Sequence, residues 1–401
     1  MLHGLRVLDL ADQSGYMCGR TLADLGADVV KVEPPGGDPG RWEPPFAADQ
    51  PGVDRSLAWL AGNINKRSII CDLAAPAGRE LFRRLSTVAD VLVESCAPGC
   101  GLDYTELRQA NPGLVYTTIT PFGWTGPLAD LPAGDLEVTA SSGSLWLAGE
   151  PDSTPVRSTL PQSAAWAGMY AAMGTLMAVL TRDASPGGEG QHVDVSAQAS
   201  MVTAISHAPI FWDLLGEEQH RSGPFLAGRS VTGAQFRNVW SCRDGYVTFA
   251  LYGGPAGRDS SRELVAWMDE SLPGGAPPAL KAVDWEAFDP TCATQAEVDV
   301  LEADIAPFIQ GLTKDEFFAR FVARNMLGYK VSTVEDILSD PQLAARGFWH
   351  QVESPWQTGQ SLTFPGSFAF FDGRRPAAHR LAPALGQHTA EVLSEWLGVQ
   401  Q

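Results

Sequence analysis

The stretch with the clearest chemical consequence is the start of one helix. Residues 159–196 read TLPQSAAWAGMYAAMGTLMAVLTRDASPGGEGQHVDVS. Ala165–Arg182 is Ala, Met, Leu and Trp with no charge before Arg182, a strong helix former that is apolar almost all round and so expected to be buried. A buried helix beginning after Pro161 aims the positive end of its dipole at whatever lies in front of it. An enzyme is expected to hold an ionisable residue there. This chain offers Gln162, Ser163 and Ala164, and no Asp or Glu occurs from Pro161 to Tyr170.

Other residues carry chemistry only if the fold assembles them. Asp135 is the nearest acidic candidate for a replacement nucleophile, although Asp before an apolar run is more simply a helix cap. Lys66 and Arg67 could face phosphates or form a solvated pair at a strand start. Gln13 falls on a loop after the first strand, where ligand contacts concentrate. His192 and His207 lie in apolar contexts without an evident catalytic duty, and Glu150 and Asp152 lie in a solvated turn. Trp124, Trp146 and Trp166 could line an acyl pocket, and packing explains them as well. Cys96 and Cys100 form C-x3-C without a second pair or a nearby His, which argues against zinc and for structural or free thiols.

The elements that must position these residues follow from periodicity. Leu5–Leu10 is a buried strand, Arg20–Leu25 is helical and Asp28–Val32 is a second strand, a unit that implies a parallel pair with a right-handed crossover. The loop between them, DQSGYMCG, lacks the dinucleotide-binding G-x-G-x-x-G pattern, so a nicotinamide cofactor is not expected. Strands at Ser68–Leu73, Val91–Val93 and Leu114–Ile119 alternate with helices at Pro76–Val88 and Leu102–Asn111. The expected fold is α/β, an open doubly wound parallel sheet that binds ligands beyond the carboxyl ends of its strands. Leu136–Ala148 reads as a helix bent at Gly143, and Ala197–Phe211 as one apolar helix. Beyond Leu214 the pattern changes to a hairpin near Asp244-Gly245 and amphipathic helices, a smaller α+β domain. The expected domains are 1–215, 225–335, and a C-terminal segment, 336–401, that returns to the first.

With 401 residues the chain can bury a large core. A net charge of −19 argues against nucleic acid or an anionic membrane as a general partner. No apolar run of membrane length and no signal peptide are evident, so a cytoplasmic location is expected.

Several segments in order resemble family III CoA-transferases, the CaiB/BaiF group: LHGLRVLDLADQSG, LADLGADVVKVEPPGGDPGR, NINKRSIICDLAAPAGRE, NPGLVYTTITPFGWTGPLAD, GTLMAVLTRDASPGGEGQHVDVS, TVEDILSDPQLAARG and LGQHTAEVL. The resemblance covers essentially the whole chain. It implies an interlocked dimer and a CoA thioester as substrate, with no metal. It also implies an aspartyl nucleophile that forms a mixed anhydride and then an aspartyl-CoA thioester, which needs a carboxylate beside an oxyanion-stabilising backbone. Counting from the glycines matching Gly168 and Gly174 places that aspartate at Ala164. The racemase branch adds a histidine, and its position is Gly134. The family's ENFRPG segment and following arginine become ESCAPGCGL, Glu94–Leu102. Residues left at matching CoA-binding positions are Gln13, Ser14, Arg41, Cys71, Asp72, Leu73, Ser95, Cys96 and Ala97.

Two functions are then expected. In one, the chain is the non-catalytic subunit of a heteromeric acyl-CoA:carboxylate CoA-transferase, completed by a related chain that keeps the aspartate. In the other it is a homodimer with repurposed acyl-CoA chemistry, an isomerase or lyase using another residue. A binding or regulatory protein is a third reading.

Overall fold

The computed structural model describes residues 1–96, 102–226, 233–356, 359, 361–376 and 380–399. The chain divides into two compact units: 1–145 with 157–218 and 341–401, and 146–156 with 219–340.

The first unit is built on six parallel strands: β1 Arg6–Asp9, β2 Asp28–Glu33, β3 Arg67–Ile70, β4 Val91–Glu94, β5 Val115–Thr120 and β6 His192–Ser196. Their order across the sheet is β3-β2-β1-β4-β5-β6. Val7 lies opposite Val29 on one side and Val91 on the other, which fixes the register at the centre. Alternate residues serve opposite faces. Val7, Val29, Val91, Val93 and Val115 pack beneath helices α1 (Tyr16–Asp24) and α6 (Ser163–Ala184). Leu8, Val30, Ile69, Leu92 and Tyr116 pack beneath α3 (Pro76–Ser86), α4 (Tyr104–Ala110) and α15 (Thr389–Leu397). A sheet covered on both faces requires such continuous apolar strands.

Shorter helices complete this unit: α2 (Leu57–Asn63), α5 (Asp135–Ser141), α7 (Ala197–Ala204), α8 (His207–Leu215) and α14 (Pro341–Ala345). The α2 helix lacks a clear apolar period, and its signal was the cap: Ser56 Oγ accepts the Trp59 N–H at 3.2 Å. The single helix expected at Ala197–Phe211 is two. Pro209 has no N–H for the Ile205 carbonyl four residues back, and the chain breaks at Ile205–Ser206. The C-terminal segment adds the hairpin β12–β13 (Trp349–Glu353 and Ser361–Pro365) and docks α15 beside β3. Arg67 reaches Glu391 at 3.0 Å and Glu395 at 2.7 Å there, and Thr389 Oγ1 accepts the Ile70 N–H at 3.2 Å.

The α6 helix departs from expectation in one respect. Its small face, Ala167, Gly168, Ala171, Ala172, Thr175 and Ala178, is buried. Gly168 lets it sit against α1, where a Cβ would stand 2.7 Å from Met17 Cβ. The opposite face, Trp166, Met169, Met173, Met177 and Leu180, is exposed, with Met177 61% and Leu180 69% accessible. One face alone meets the unit's core, so the buried-all-round expectation is corrected. By length and composition α6 is apolar enough to cross a membrane, which the sequence reading overlooked, yet its small face is core to a mixed α/β unit.

The second unit holds the strand pair β7–β8 (Phe225–Leu226 and Phe236–Arg237) and the sheet β9 (Val239–Cys242), β10 (Gly245–Thr248) and β11 (Tyr329–Lys330). Cys242 pairs with Gly245, so the hairpin turn is Arg243–Asp244, one residue before the expected one. Around it lie α9 (Gly254–Ser271), α10 (Pro278–Ala282), α11 (Gln295–Gln310), α12 (Lys314–Arg324) and α13 (Val334–Leu338). Trp240, Phe249, Trp267, Phe308, Phe317 and Phe321 form its core. Capping boxes at Thr294/Glu297, Thr313/Glu316 and Thr333/Asp336 start three of the helices.

Candidate active site

In this strand order the chain reverses direction across the sheet between β1 and β4, and sheets of this kind bind ligands in the crevice beyond the carboxyl ends of the strands at that point. The loops after these strands form its walls and are joined. Ser95 Oγ accepts the Asp12 N–H at 2.7 Å, and the Leu10 N–H reaches the Val93 carbonyl at 2.8 Å. Asp12 Oδ1 in turn accepts the Ser14 N–H at 2.9 Å and the Ser14 hydroxyl at 2.6 Å, a turn that leaves Gln13 exposed. Gln13, Ser14, Ser95 and Cys96 thus come together on both sides of the reversal. Cys96 is disulfide-bonded, which corrects the free-thiol reading of that residue. Ala97, also expected here, lies outside the described residues.

A helix that feeds a parallel strand runs back along it, so α6 begins at the carboxyl edge of the sheet, beside the start of α1. Ala164, in its first turn, is half-buried. Its neighbourhood does hold a carboxylate. Asp135 Oδ1 accepts the Gln162 N–H at 2.8 Å, the Ser163 N–H at 2.9 Å and the Ser163 hydroxyl at 2.8 Å. The capping reading of Asp135 was right in kind and wrong in helix. At the start of α5, Glu137 Oε2 accepts the Gly134 N–H at 2.9 Å, which leaves Asp135 to cap α6 across the fold. With three donors on one oxygen, the carboxylate is tied to the helix start and is a poor nucleophile. Gly134 brings no side chain to the site.

The remaining expected residues divide. Asp72 and Leu73 follow β3, where Asp72 Oδ1 accepts the Ala74 N–H at 3.0 Å. The Cys71 thiol is buried against the Gly78 carbonyl at 3.2 Å, and burial pushes its pKa up to about 11. Arg41 is fully buried, which corrects its assignment as a ligand contact. Its guanidinium meets Glu33 at 2.6 and 2.8 Å, Asp54 at 2.5 Å and the Pro383 carbonyl at 3.0 Å, and lies 3.9 Å from the centre of the Trp59 ring. Lys66 and Arg67 do not face phosphates either. Lys66 is buried with Asp9 at 2.7 Å and Asn63 at 2.9 Å, and Arg67 is occupied by Asp28 and the two α15 glutamates. These cations pin the first three strands to the loop after β2 and to the C-terminal segment. His192 binds Thr118 at 2.9 Å inside a ring cluster with Tyr104, Tyr116 and Trp124, and burial lowers its pKa. Among the described residues no group of three His, Cys, Asp or Glu is arranged to hold a metal ion.

Sequence reasoning missed Glu94, the last residue of β4. It is 1% exposed, its Oε1 accepts the Tyr116 hydroxyl, and burial raises its pKa to about 7. The available signal was an acid ending an apolar strand of a sheet covered on both faces.

Comparison with known proteins agrees with this architecture. The family model for CoA-transferase family III matches residues 2–389. The chain is 36% identical to succinyl-CoA:(R)-benzylsuccinate CoA-transferase subunit BbsE of Thauera aromatica, over 97% of this chain and 93% of that one. It is 31% identical to the succinate–glutarate CoA-transferase of Agrobacterium fabrum strain C58, over 98% and 95% of the two chains. Among solved structures, a CaiB/BaiF family protein from Brucella suis superposes with a TM-score of 0.78 at 28% identity, covering 98% of this chain and 99% of that one. The six-stranded parallel sheet and the full-length match lead to one assignment: the chain belongs to CoA-transferase family III.

Proposed function

We propose that this chain is the non-catalytic subunit of a heteromeric acyl-CoA:carboxylate CoA-transferase acting in dicarboxylic or aromatic acid metabolism. The observation that carries the reading is Ala164. It stands in the first turn of α6, and the carboxylate that reaches that turn, Asp135, is committed to capping that helix. The nucleophile then belongs to a related family III chain. The partner's aspartate attacks the acyl-CoA carbonyl and carries the acyl group and then CoA, while this chain supplies the paired fold. The exposed apolar face of α6 supports a partner, as do Ile210, Trp212, Leu214 and Leu215 on α8. So does the likeness to a protein whose own name describes a subunit.

In this reading the crevice holds CoA between Gln13, Ser14, Ser95 and Cys96, with Asp72 and Leu73 at the neighbouring strand end. The substrate class follows the relatives, whose names pair succinyl-CoA with a second carboxylic acid. The alternative is a homodimer with repurposed acyl-CoA chemistry, favoured by the intact Asp12–Ser95 contact, which keeps a crevice in a chain without the nucleophile.

The test is production of the chain alone and together with a family III paralogue bearing aspartate at the matching position. Succinyl-CoA-dependent transfer is expected from the pair only. Trapping with hydroxylamine should place an aspartyl hydroxamate on the paralogue and none on this chain. A stable, active homodimer from the single gene would sink the heteromer reading.

A further inference from the structure

The buried acids at the carboxyl ends of the sheet are of two kinds. Asp9, Glu33 and Asp38 each have a buried cation close by, Lys66 at 2.7 Å, Arg41 at 2.6 Å and Lys31 at 2.9 Å. Glu94 is as deeply buried and has no ion pair among the described residues. One oxygen accepts the Tyr116 hydroxyl, and the other, Oε2, is sealed from solvent and has no hydrogen-bond partner among the described residues.

Among the described residues, the elements around Glu94 supply no countercharge to it. From β5 come Tyr116 and Thr118, and from β6 His192, whose burial favours the neutral ring. Asp194, also on β6, is held by the Trp124 N–H at 3.0 Å. The α4 helix brings Tyr104 and Asp103, the latter occupied by the Thr105 N–H at 2.7 Å. On α3, Arg79 binds the Leu73 and Ala74 carbonyls and Arg83 binds Glu80. On α15, Glu391 and Glu395 face Arg67. A carboxylate with one hydrogen bond and no cation in such surroundings favours its proton.

The next residue makes this consequential. Ser95 forms the 2.7 Å contact with the Asp12 N–H that joins the two walls of the crevice. We propose that Glu94 is a positioning residue that works protonated: as a neutral acid bonded to Tyr116 it holds the end of β4 and the Ser95–Asp12 contact in place, and its ionisation releases that contact, so the crevice holds CoA only while Glu94 is neutral. The proton passes to solvent and no other reactant is needed. The CoA part rests on the reading of the crevice given above. Burial places the change near pH 7, within the working range of an enzyme.

The test uses the full chain, with its partner where one co-purifies. Backbone hydrogen exchange over residues 10–15, corrected for intrinsic rates, reads the contact without ligand, and calorimetric titration with free coenzyme A reads the site. In the wild type, protection is expected to fall through a midpoint near pH 7, and CoA affinity to fall about tenfold or more between pH 6 and pH 8.5. Glu94→Gln should flatten both profiles. Tyr116→Phe, which removes the hydrogen bond that lowers the Glu94 pKa, should move the midpoint upward and covers a Glu94→Gln that does not fold. Absence of CoA binding at every pH, with the exchange step intact, would reject the ligand reading and keep the proton-linked contact. Identical exchange profiles for wild type and Glu94→Gln, or an unmoved midpoint in Tyr116→Phe, would overturn the proposal.

Discussion

Asp135→Ala tests the construction of the α6 start most sharply. One carboxylate oxygen accepts two backbone N–H groups and a hydroxyl, all within 2.9 Å. Loss of a helix cap costs about 1–2 kcal/mol, and loss of a negative charge at the positive end of a helix costs about 0.3–1 kcal/mol more. The total is about 1–3 kcal/mol, which for a cooperative unit of this size lowers the melting temperature by about 2–5 °C. Asp135→Asn keeps the acceptor and loses the charge, so it should fall between, with a loss of about 1 kcal/mol. Scanning calorimetry at low and moderate salt reads both variants, and the charge-dependent part should shrink as salt rises. An alanine variant that melts with the wild type would show that Asp135 does not cap α6. An asparagine variant as damaged as alanine would show that charge alone mattered.

Further outcomes follow from the same contacts. Arg41→Ala leaves Glu33 buried without its cation, and should cost about 3–5 kcal/mol in urea unfolding. A ligand-binding role would instead lower CoA affinity at an unchanged urea midpoint. Met177→Glu with Leu180→Glu should leave the melting curve of the isolated chain nearly unchanged and abolish co-purification with the partner; retained assembly would remove the α6 face from the interface. Iodoacetamide should alkylate exposed Cys292 and spare Cys18 and Cys71, whose thiols burial pushes up to about 12 and about 11, and early labelling of Cys18 by mass spectrometry would contradict its packing. Glu94 binds its proton more tightly folded than unfolded, from 4.5 up to about 7. Its contribution is therefore full below pH 4.5, declines as the pH rises and is lost above about pH 7. The loss is about 3 kcal/mol, visible as a stability gap between wild type and Glu94→Gln that opens with pH.

Much of the large unit was legible because its strands obey local rules. Apolar runs of four to six residues, each followed by an amphipathic helix, specify a covered parallel sheet, and α3 begins at the expected Pro76. The break before α8 was also written in the sequence, at Pro209, and was outweighed by the apolar run around it. The exposed side of α6 was not legible. Composition shows that a helix is apolar all round, but the area available within one chain to cover it depends on tertiary packing. The same limit applies to charge. Lys66, Arg67 and Arg41 have the types that bind phosphate, and only the fold shows that Asp9, Asp28, Glu33 and the α15 glutamates reach them first. Asp135 shows the limit at the site itself. Its position before an apolar run indicated a cap, and the helix it caps begins 28 residues later.

The central claim is that the nucleophile lies on another chain. Its most direct test is mass spectrometry of the co-purified pair after incubation with succinyl-CoA and hydroxylamine. The account predicts a single aspartyl hydroxamate on the paralogue, an unmodified peptide spanning Ser163–Ala184 from this chain, and no transfer by this chain alone. A hydroxamate on Asp135, or on any acid of this chain, together with transfer activity in the absence of the paralogue, would contradict it.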